Sequence, residues 1–136
     1  MTDLKVIPSP GKFAPKNEVL SYGIRAGDVL WLSGQTSRNL DTGEVVKGDI
    51  GVQTNQVIDN IERGLKAEGM ELERVVRCTV YVTNSADLEG MNKVYTERFK
   101  EPRPARAAYI VAGLANPAYR VEIDAIAVAG KGPAKP

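Results

Sequence analysis

Two charged residues lie in otherwise apolar segments of this 136-residue chain. Arg106 stands among alanines in RPARAAYIVAGL, and Glu122 lies in the middle of RVEIDAIAV. Burying a charge is costly unless the charge finds a partner. An arginine can hold a carboxylate through two parallel hydrogen bonds, and a glutamate can take a proton from water. The two residues therefore indicate either a structural ion pair across a subunit seam or a site that binds and transforms a carboxylate ligand.

The composition excludes several other kinds of chemistry. The chain contains no histidine, which argues against Ser–His and Cys–His catalytic pairs and against a histidine-based catalytic zinc site. It contains no GxGxxG or GxxxxGKS motif for dinucleotide or phosphate binding. We expect no cofactor and no metal, and an enzyme built on this chain would use carboxylates, arginines, hydroxyls and backbone groups.

Charge and hydropathy indicate a cytoplasmic globular protein. The net charge is +1 and the basic residues are scattered, which argues against nucleic acid as a partner. No apolar run reaches the roughly 20 residues that span a bilayer, and no signal peptide is recognisable. The single cysteine, Cys78, fits a reducing compartment. We expect one domain over residues 1–136, with an N-terminal strand or arm over 1–17 and a flexible tail over 131–136.

The residue patterns predict the elements that position Arg106 and Glu122. Alternation of apolar and polar residues predicts a hairpin from EVLSYGIRAG and DVLWLSGQ, and a further strand in ERVVRCTVYVTN. In that third strand Val76, Cys78, Val80 and Val82 are expected on the core face. Helical spacing predicts one helix over 51–68 and a second over 85–99, N-capped by Asp49 and Ser85. The segment 103–130 supplies two last strands, and DLKVI is a candidate for a sixth.

The order β-β-α-β-α-β-β predicts an α+β fold in which both helices cover one face of the sheet. On the last strand the small apolar row from Val121 to Ala127 should face the helices, and Glu122 should face away from them. We expect Arg106 to share this uncovered face. A sheet face that is half apolar and half charged predicts subunit association, with polar sites trapped between subunits.

Three motifs in order resemble the RidA (YjgF/YER057c/UK114) family over residues 18–130. RPARAAYIVAGL followed by RVEIDAIAV resembles its C-terminal signature, RAGDVLWLSGQT its N-terminal strand motif, and MNKVYTERF its second helix. The resemblance implies a chorismate-mutase-like fold of the bacillary type, assembled as a homotrimer with sites between subunits. It also implies an enamine/imine deaminase that, without a cofactor, hydrolyses intermediates such as 2-aminoacrylate to 2-keto acids and ammonia.

The same resemblance assigns roles to individual residues. It places the carboxylate-binding arginine at Arg106 and the site glutamate, as general base, at Glu122. Ser33 and Gly34 of the SGQ motif line the substrate site, and Asn92 of the second helix joins them.

The chain also departs from the family pattern. Leu20 occupies the place of a family tyrosine, so Tyr22, two residues later, is our candidate for that substrate-binding role. Ala108, a further candidate substrate-binding residue, stands where the family has a cysteine, which changes the size of the pocket. These departures keep alternatives open: a non-catalytic carboxylic acid-binding or regulatory protein, or a deaminase of a larger substrate such as aminomuconate. An endoribonuclease is a further alternative, against which the scattered basic residues argue.

Overall fold

The computed structural model describes residues 3–13 and 19–130. The predicted tail over 131–136 and residues 1–2 and 14–17 of the predicted arm therefore lie outside the described residues. The strands are β1 (Leu4–Ile7), β2 (Gly23–Ala26), β3 (Val29–Gln35), β4 (Val75–Val82), β5 (Ala105–Ile110) and β6 (Val121–Val128). The helices are α1 (Ile50–Ala67) and α2 (Leu88–Arg98), and short 3₁₀ turns precede β4 (Leu72–Arg74) and α2 (Ser85–Asp87). The segment DLKVI, the candidate for a sixth strand, forms β1.

The six strands form one mixed sheet in the order β1-β2-β3-β6-β4-β5. Only β4 and β5 pair in parallel, while the other neighbours are antiparallel. β4 therefore separates β5, which carries Arg106, from β6, which carries Glu122. Both helices pack on one face of this sheet, which confirms the predicted α+β architecture. No helix among the described residues is long and apolar enough to cross a membrane.

Helix α1 begins and packs as its sequence predicts. The Asp49 carboxylate accepts a hydrogen bond of 2.9 Å from the Val52 amide, which satisfies one of the free N–H groups of the first turn. The apolar stripe that the helical spacing predicts is fully buried: Val57, Ile58, Ile61 and Leu65. This stripe anchors the helix on β3 and β6.

Helix α2 begins differently from the prediction. The side chain of Asn84, not that of Ser85, accepts the capping hydrogen bond, which comes from the Ala86 amide at 2.9 Å. Ser85 is instead the first residue of a short 3₁₀ turn, Ser85–Asp87, that leads into α2. An asparagine readily bonds the backbone two residues ahead of it, and here this moves the cap back by one residue.

Strand β4 contains a bulge that the alternation does not reveal. Its register with β6 shifts between Val75 and Arg77, so that Val75 is 4% exposed and Val76 is 46% exposed. The prediction that Val76 faces the core is therefore wrong. Cys78 and the valines after it are fully buried as predicted. Burial also raises the pKa of the Cys78 thiol to about 11, which marks it as an unreactive core residue.

The second face of the sheet carries no helix within the described part of the chain. The row from Val121 to Ala127 faces the helices and is buried, as predicted, and Glu122 lies on the opposite, uncovered face. Large apolar side chains are exposed on that uncovered face, among them Trp31 on β3 and Tyr109 on β5. Large exposed apolar side chains on an uncovered sheet face are typical of an association surface.

Candidate active site

Arg106 lies on the edge strand β5 and is held from α2. It pairs in register with Cys78, whose side chain faces the helices, so Arg106 points to the same face. One of its Nη atoms donates a hydrogen bond of 2.7 Å to Asn92 Oδ1, and its Cζ lies 4.8 Å from the centroid of the Tyr95 ring. The side chain remains exposed. These contacts orient the guanidinium and leave donors free for a ligand.

Glu122 is a half-buried carboxylate on the uncovered face of β6. It pairs in register with Tyr81 of β4. Within residues 3–13 and 19–130, no hydrogen bond or ion pair reaches its carboxylate. Burial raises the pKa of Glu122 above its ordinary value, and the negative charge of Asp124 raises that pKa further. An unpaired carboxylate with a raised pKa is suited to take a proton from a bound water.

The prediction that Arg106 and Glu122 share one face of the sheet is wrong. Arg106 faces the helices and Glu122 faces away from them. The two side chains therefore do not meet within one chain. The physical reason is that β5 takes its register from β4 in a parallel pairing, and this non-local pairing decides which of its residues face the helices.

The SGQ motif forms a bulge that brings Gly34 against Glu122. The register between β3 and β6 shifts between Leu32 and Gln35, and Ser33 and Gly34 lie in this irregularity. The Ser33 hydroxyl donates a hydrogen bond of 2.6 Å to the Ser21 carbonyl. A Cβ atom added to Gly34 would lie 2.2 Å from Oε2 of Glu122. The motif glycine therefore leaves the space that the carboxylate occupies.

We expect Gly34→Ala to displace the Glu122 carboxylate and to leave the fold intact. The added methyl group clashes with the far end of a flexible side chain, which can rotate away at little cost in stability. A shift of this size in a catalytic group should lower kcat by roughly 10–100-fold. Thermal melting and steady-state kinetics on the same preparation check the prediction. Full activity in the variant would show that the position of Glu122 does not matter.

Tyr22 does not belong to this site. It is 7% exposed, lies against Gly64, and its hydroxyl donates a hydrogen bond to the Asn60 carbonyl of α1. The predicted substrate-binding role of Tyr22 is therefore wrong, because the residue points into the core on the helix face. Ala108 lies two residues after Arg106 on the same face of β5 and is exposed beside it.

Sequence reasoning misses the contribution of Tyr95. The helical pattern assigns it only to the buried face of α2, and it is indeed buried. Its ring nevertheless forms the surface on which the Arg106 guanidinium rests. The available signal is its position three residues after Asn92, since residues three apart on a helix lie on the same face.

No group of three or more potential metal-ligating side chains occurs among the described residues. The arrangement therefore offers an arginine held for a carboxylate and, on the other face, a carboxylate held for proton transfer.

Comparison with known proteins places this chain in a family. The sequence profile of the endoribonuclease L-PSP family matches residues 12–129. A RutC family protein of Pyrococcus horikoshii is 45% identical over 107 residues, which cover 79% of this chain and 84% of that protein. The human 2-iminobutanoate/2-iminopropanoate deaminase is 33% identical over 122 residues, covering 90% and 85% of the two chains. The crystal structure of RidA from an Antarctic Psychrobacter matches with a TM-score of 0.83 and 31% identity, over 92% of this chain and 99% of that one. The chain therefore belongs to the endoribonuclease L-PSP family, which includes the RidA proteins.

Proposed function

We propose that this protein hydrolyses reactive enamines and imines derived from amino acids to 2-keto acids and ammonia. The observation that carries the proposal is Glu122, a half-buried carboxylate with a raised pKa and no partner among the described residues. An ionisable group that is partly buried and unpaired is a candidate for catalysis. The similarity to proteins named 2-iminobutanoate/2-iminopropanoate deaminase supports this reaction type.

The proposed site forms between two copies of the chain. Because Arg106 and Glu122 lie on opposite faces, a site that contains both needs the edge strand β5 of one subunit against the uncovered face of the next. Each subunit then contributes an arginine to one site and a glutamate to another. Such head-to-tail contacts close into a ring, and we propose the homotrimer that the family resemblance implies.

Arg106 would bind the substrate carboxylate in this site. Its fork of donors matches the two oxygens of a carboxylate, while Asn92 and Tyr95 hold the guanidinium from the side of α2. The bound substrate would then present its C=N carbon to Glu122 of the neighbouring subunit. An enamine substrate first takes up a proton on its carbon and becomes the imine, which then reacts in the same way.

Glu122 would act as the general base in the hydrolysis. Water adds to the C=N carbon, its proton passes to the carboxylate, and the C=N electron pair moves onto nitrogen with uptake of a proton. Glu122 then returns its proton to that nitrogen, the C–N bond breaks, and ammonia leaves as the hydroxyl oxygen forms the C=O bond and releases its proton. This released proton balances the one that the nitrogen took up from solvent. The sum is imine plus water giving 2-keto acid plus ammonia. Positioning and one base suffice because an iminium carbon is already electrophilic.

The proposal is tested by adding the purified protein to a dehydratase that releases 2-aminoacrylate from serine. We expect the trapped 2-aminoacrylate to fall and pyruvate to form faster than without the protein. An unchanged decay rate contradicts the deaminase proposal. If a 2-keto acid then binds in calorimetry without any turnover, the chain is a carboxylate-binding protein instead.

RNA cleavage, which the name of the family suggests, has less support from this chain than deamination. The chain has a net charge of +1 and no histidine, so it offers neither a concentrated basic surface nor an imidazole for acid–base chemistry on the ribose. The small-molecule reaction is therefore the function that we propose.

A further inference from the structure

An ion pair between Asp87 and Arg120 joins the start of α2 to the start of β6. Asp87 directly precedes α2 and is 5% exposed, whereas Arg120 directly precedes β6. Arg120 Nη2 lies 2.6 Å from Asp87 Oδ1, and Arg120 Nε lies 3.1 Å from Asp87 Oδ2. Two parallel charge-assisted hydrogen bonds fix the direction as well as the distance of the two groups. The acidic residue is also favourable at the N-terminus of a helix.

Gln53 of α1 holds the backbone on the β6 side of this pair. Its side chain is buried, and its Oε1 accepts a hydrogen bond of 2.8 Å from the Arg120 amide. Its Nε2 donates a hydrogen bond of 2.8 Å to the Ala118 carbonyl. The Thr83 amide donates a further bond of 3.2 Å to the Arg120 carbonyl. Arg120 is therefore fixed through its side chain and through both of its backbone groups.

The pair connects the two elements that carry the proposed catalytic groups. Helix α2 supplies Asn92 and Tyr95, which hold Arg106, and Glu122 follows Arg120 by two residues. The Asp87 side chain is buried, whereas that of Arg120 is 40% exposed. Ion pairs contribute little net stability whether exposed or buried, and the best-attested use of buried ones is to specify geometry. A pair that links these two elements is well placed for that use.

We propose that Asp87 and Arg120 are positioning residues for the active site. The pair sets α2, with the support of Arg106, and β6, with Glu122, in a fixed relation within each subunit. This inference rests on the proposed function, because it assumes that Arg106 and Glu122 act on a substrate. In the proposed ring, each subunit would thereby place its two half-sites at a fixed spacing.

A matched control exists at the other end of the sheet. Glu68 follows α1, its side chain is 9% exposed, and Arg25 Nη1 of β2 lies 3.3 Å from its Oε1. Arg25 is in register with Leu30, and Leu30 with Ala127. Ala127 lies five residues beyond Glu122 on β6, about 17 Å along the strand. The Glu68 carboxylate is buried to a similar degree as that of Asp87, and it also lies 3.2 Å from Lys5 Nζ of β1. These contacts join a helix to the same sheet but touch neither half of the proposed site.

The experiment compares Asp87→Asn with Glu68→Gln in steady-state deamination and thermal melting. Both changes neutralise a buried carboxylate, so we expect similar decreases in melting temperature. Asp87→Asn should lower kcat by roughly 10–100-fold and raise KM, since both catalytic groups move, while Glu68→Gln should keep both constants within about twofold. Arg120→Lys keeps the charge without the fork and should give an intermediate loss. Kinetic constants in Asp87→Asn equal to those of Glu68→Gln would overturn the proposal.

Hydrogen–deuterium exchange separates this inference from the proposed function. We expect Asp87→Asn to speed amide exchange in residues 88–98 and 120–124 together, and Glu68→Gln to leave both segments unchanged. If the wild-type protein deaminates nothing but exchange rises in both segments, the proposed function fails while the link between the two elements stands. Exchange that rises in neither segment, or in only one, overturns the link itself.

Discussion

Replacing Arg106 by alanine is expected to lower kcat/KM for a 2-imino acid by roughly 10²–10⁴-fold. The guanidinium would otherwise make two charge-assisted hydrogen bonds to the substrate carboxylate, each worth about 1.5–3 kcal/mol. The loss should appear as slower decay of 2-aminoacrylate and as weaker binding of a 2-keto acid. Because the side chain is exposed on an edge strand, the fold of the subunit should persist.

Two further variants sharpen the Arg106 prediction. Arg106→Lys retains the charge but loses the planar fork, so we expect it to recover only part of the activity. Arg63→Ala is the control, since Arg63 is also partly exposed and its guanidinium is also held by a side-chain acceptor, the Asp41 carboxylate. The Arg63→Ala variant should catalyse the decay of 2-aminoacrylate at the wild-type rate. Should Arg106→Ala dissociate the oligomer and yet bind 2-keto acids normally, Arg106 would be a structural residue of the subunit seam.

Glu122→Gln is expected to lower kcat by roughly 10²–10⁴-fold, the usual contribution of a general base. Glutamine preserves the size and shape of the side chain but cannot accept the proton of the attacking water. KM should change little, because Arg106 and not Glu122 binds the substrate carboxylate. Single-turnover kinetics with a trapped imine separate the chemical step from binding. A variant that keeps the wild-type kcat would remove Glu122 from the mechanism.

The raised pKa of Glu122 predicts how activity and stability depend on pH. Only the ionised carboxylate can act as a base, so kcat/KM should fall as the pH decreases through a pKa above that of an ordinary glutamate. A folded-state pKa above the unfolded value contributes stability that is complete at acidic pH and is lost as the pH rises through the folded pKa. Glu122→Gln should therefore melt no lower than the wild-type protein at pH 7, and the difference should disappear in acid.

Thermal melting from about pH 4 to pH 7 checks this combination. An inactive variant that is at least as stable as the wild type would indicate that the unpaired carboxylate is kept for function. A variant that is much less stable at pH 7 would show instead that Glu122 has a stabilising partner in the assembled protein. The two outcomes distinguish a catalytic base from one half of a structural ion pair.

The local elements of this protein follow from its sequence by itself. The Asp49 cap, the buried stripe of α1 and the alternation along β6 are each contained within a few neighbouring residues, and each is confirmed. The order of these elements also determines the α+β class, because two helices cannot cover both faces of a six-stranded sheet. The three motifs were sufficient to identify the family, and Arg106 and Glu122 remain the candidate catalytic residues.

The tertiary structure alone decided how these residues are arranged. Alternation shows that neighbouring strand residues point to opposite faces, but it does not show which face meets the helices. The parallel pairing of β5 with β4 turns Arg106 toward α2, away from the face of Glu122. In the same way, bulges expose Val76 and bring Gly34 against Glu122. These features arise from pairings between segments that are distant along the chain. The local residue pattern does not show which distant segments will pair, or in which register.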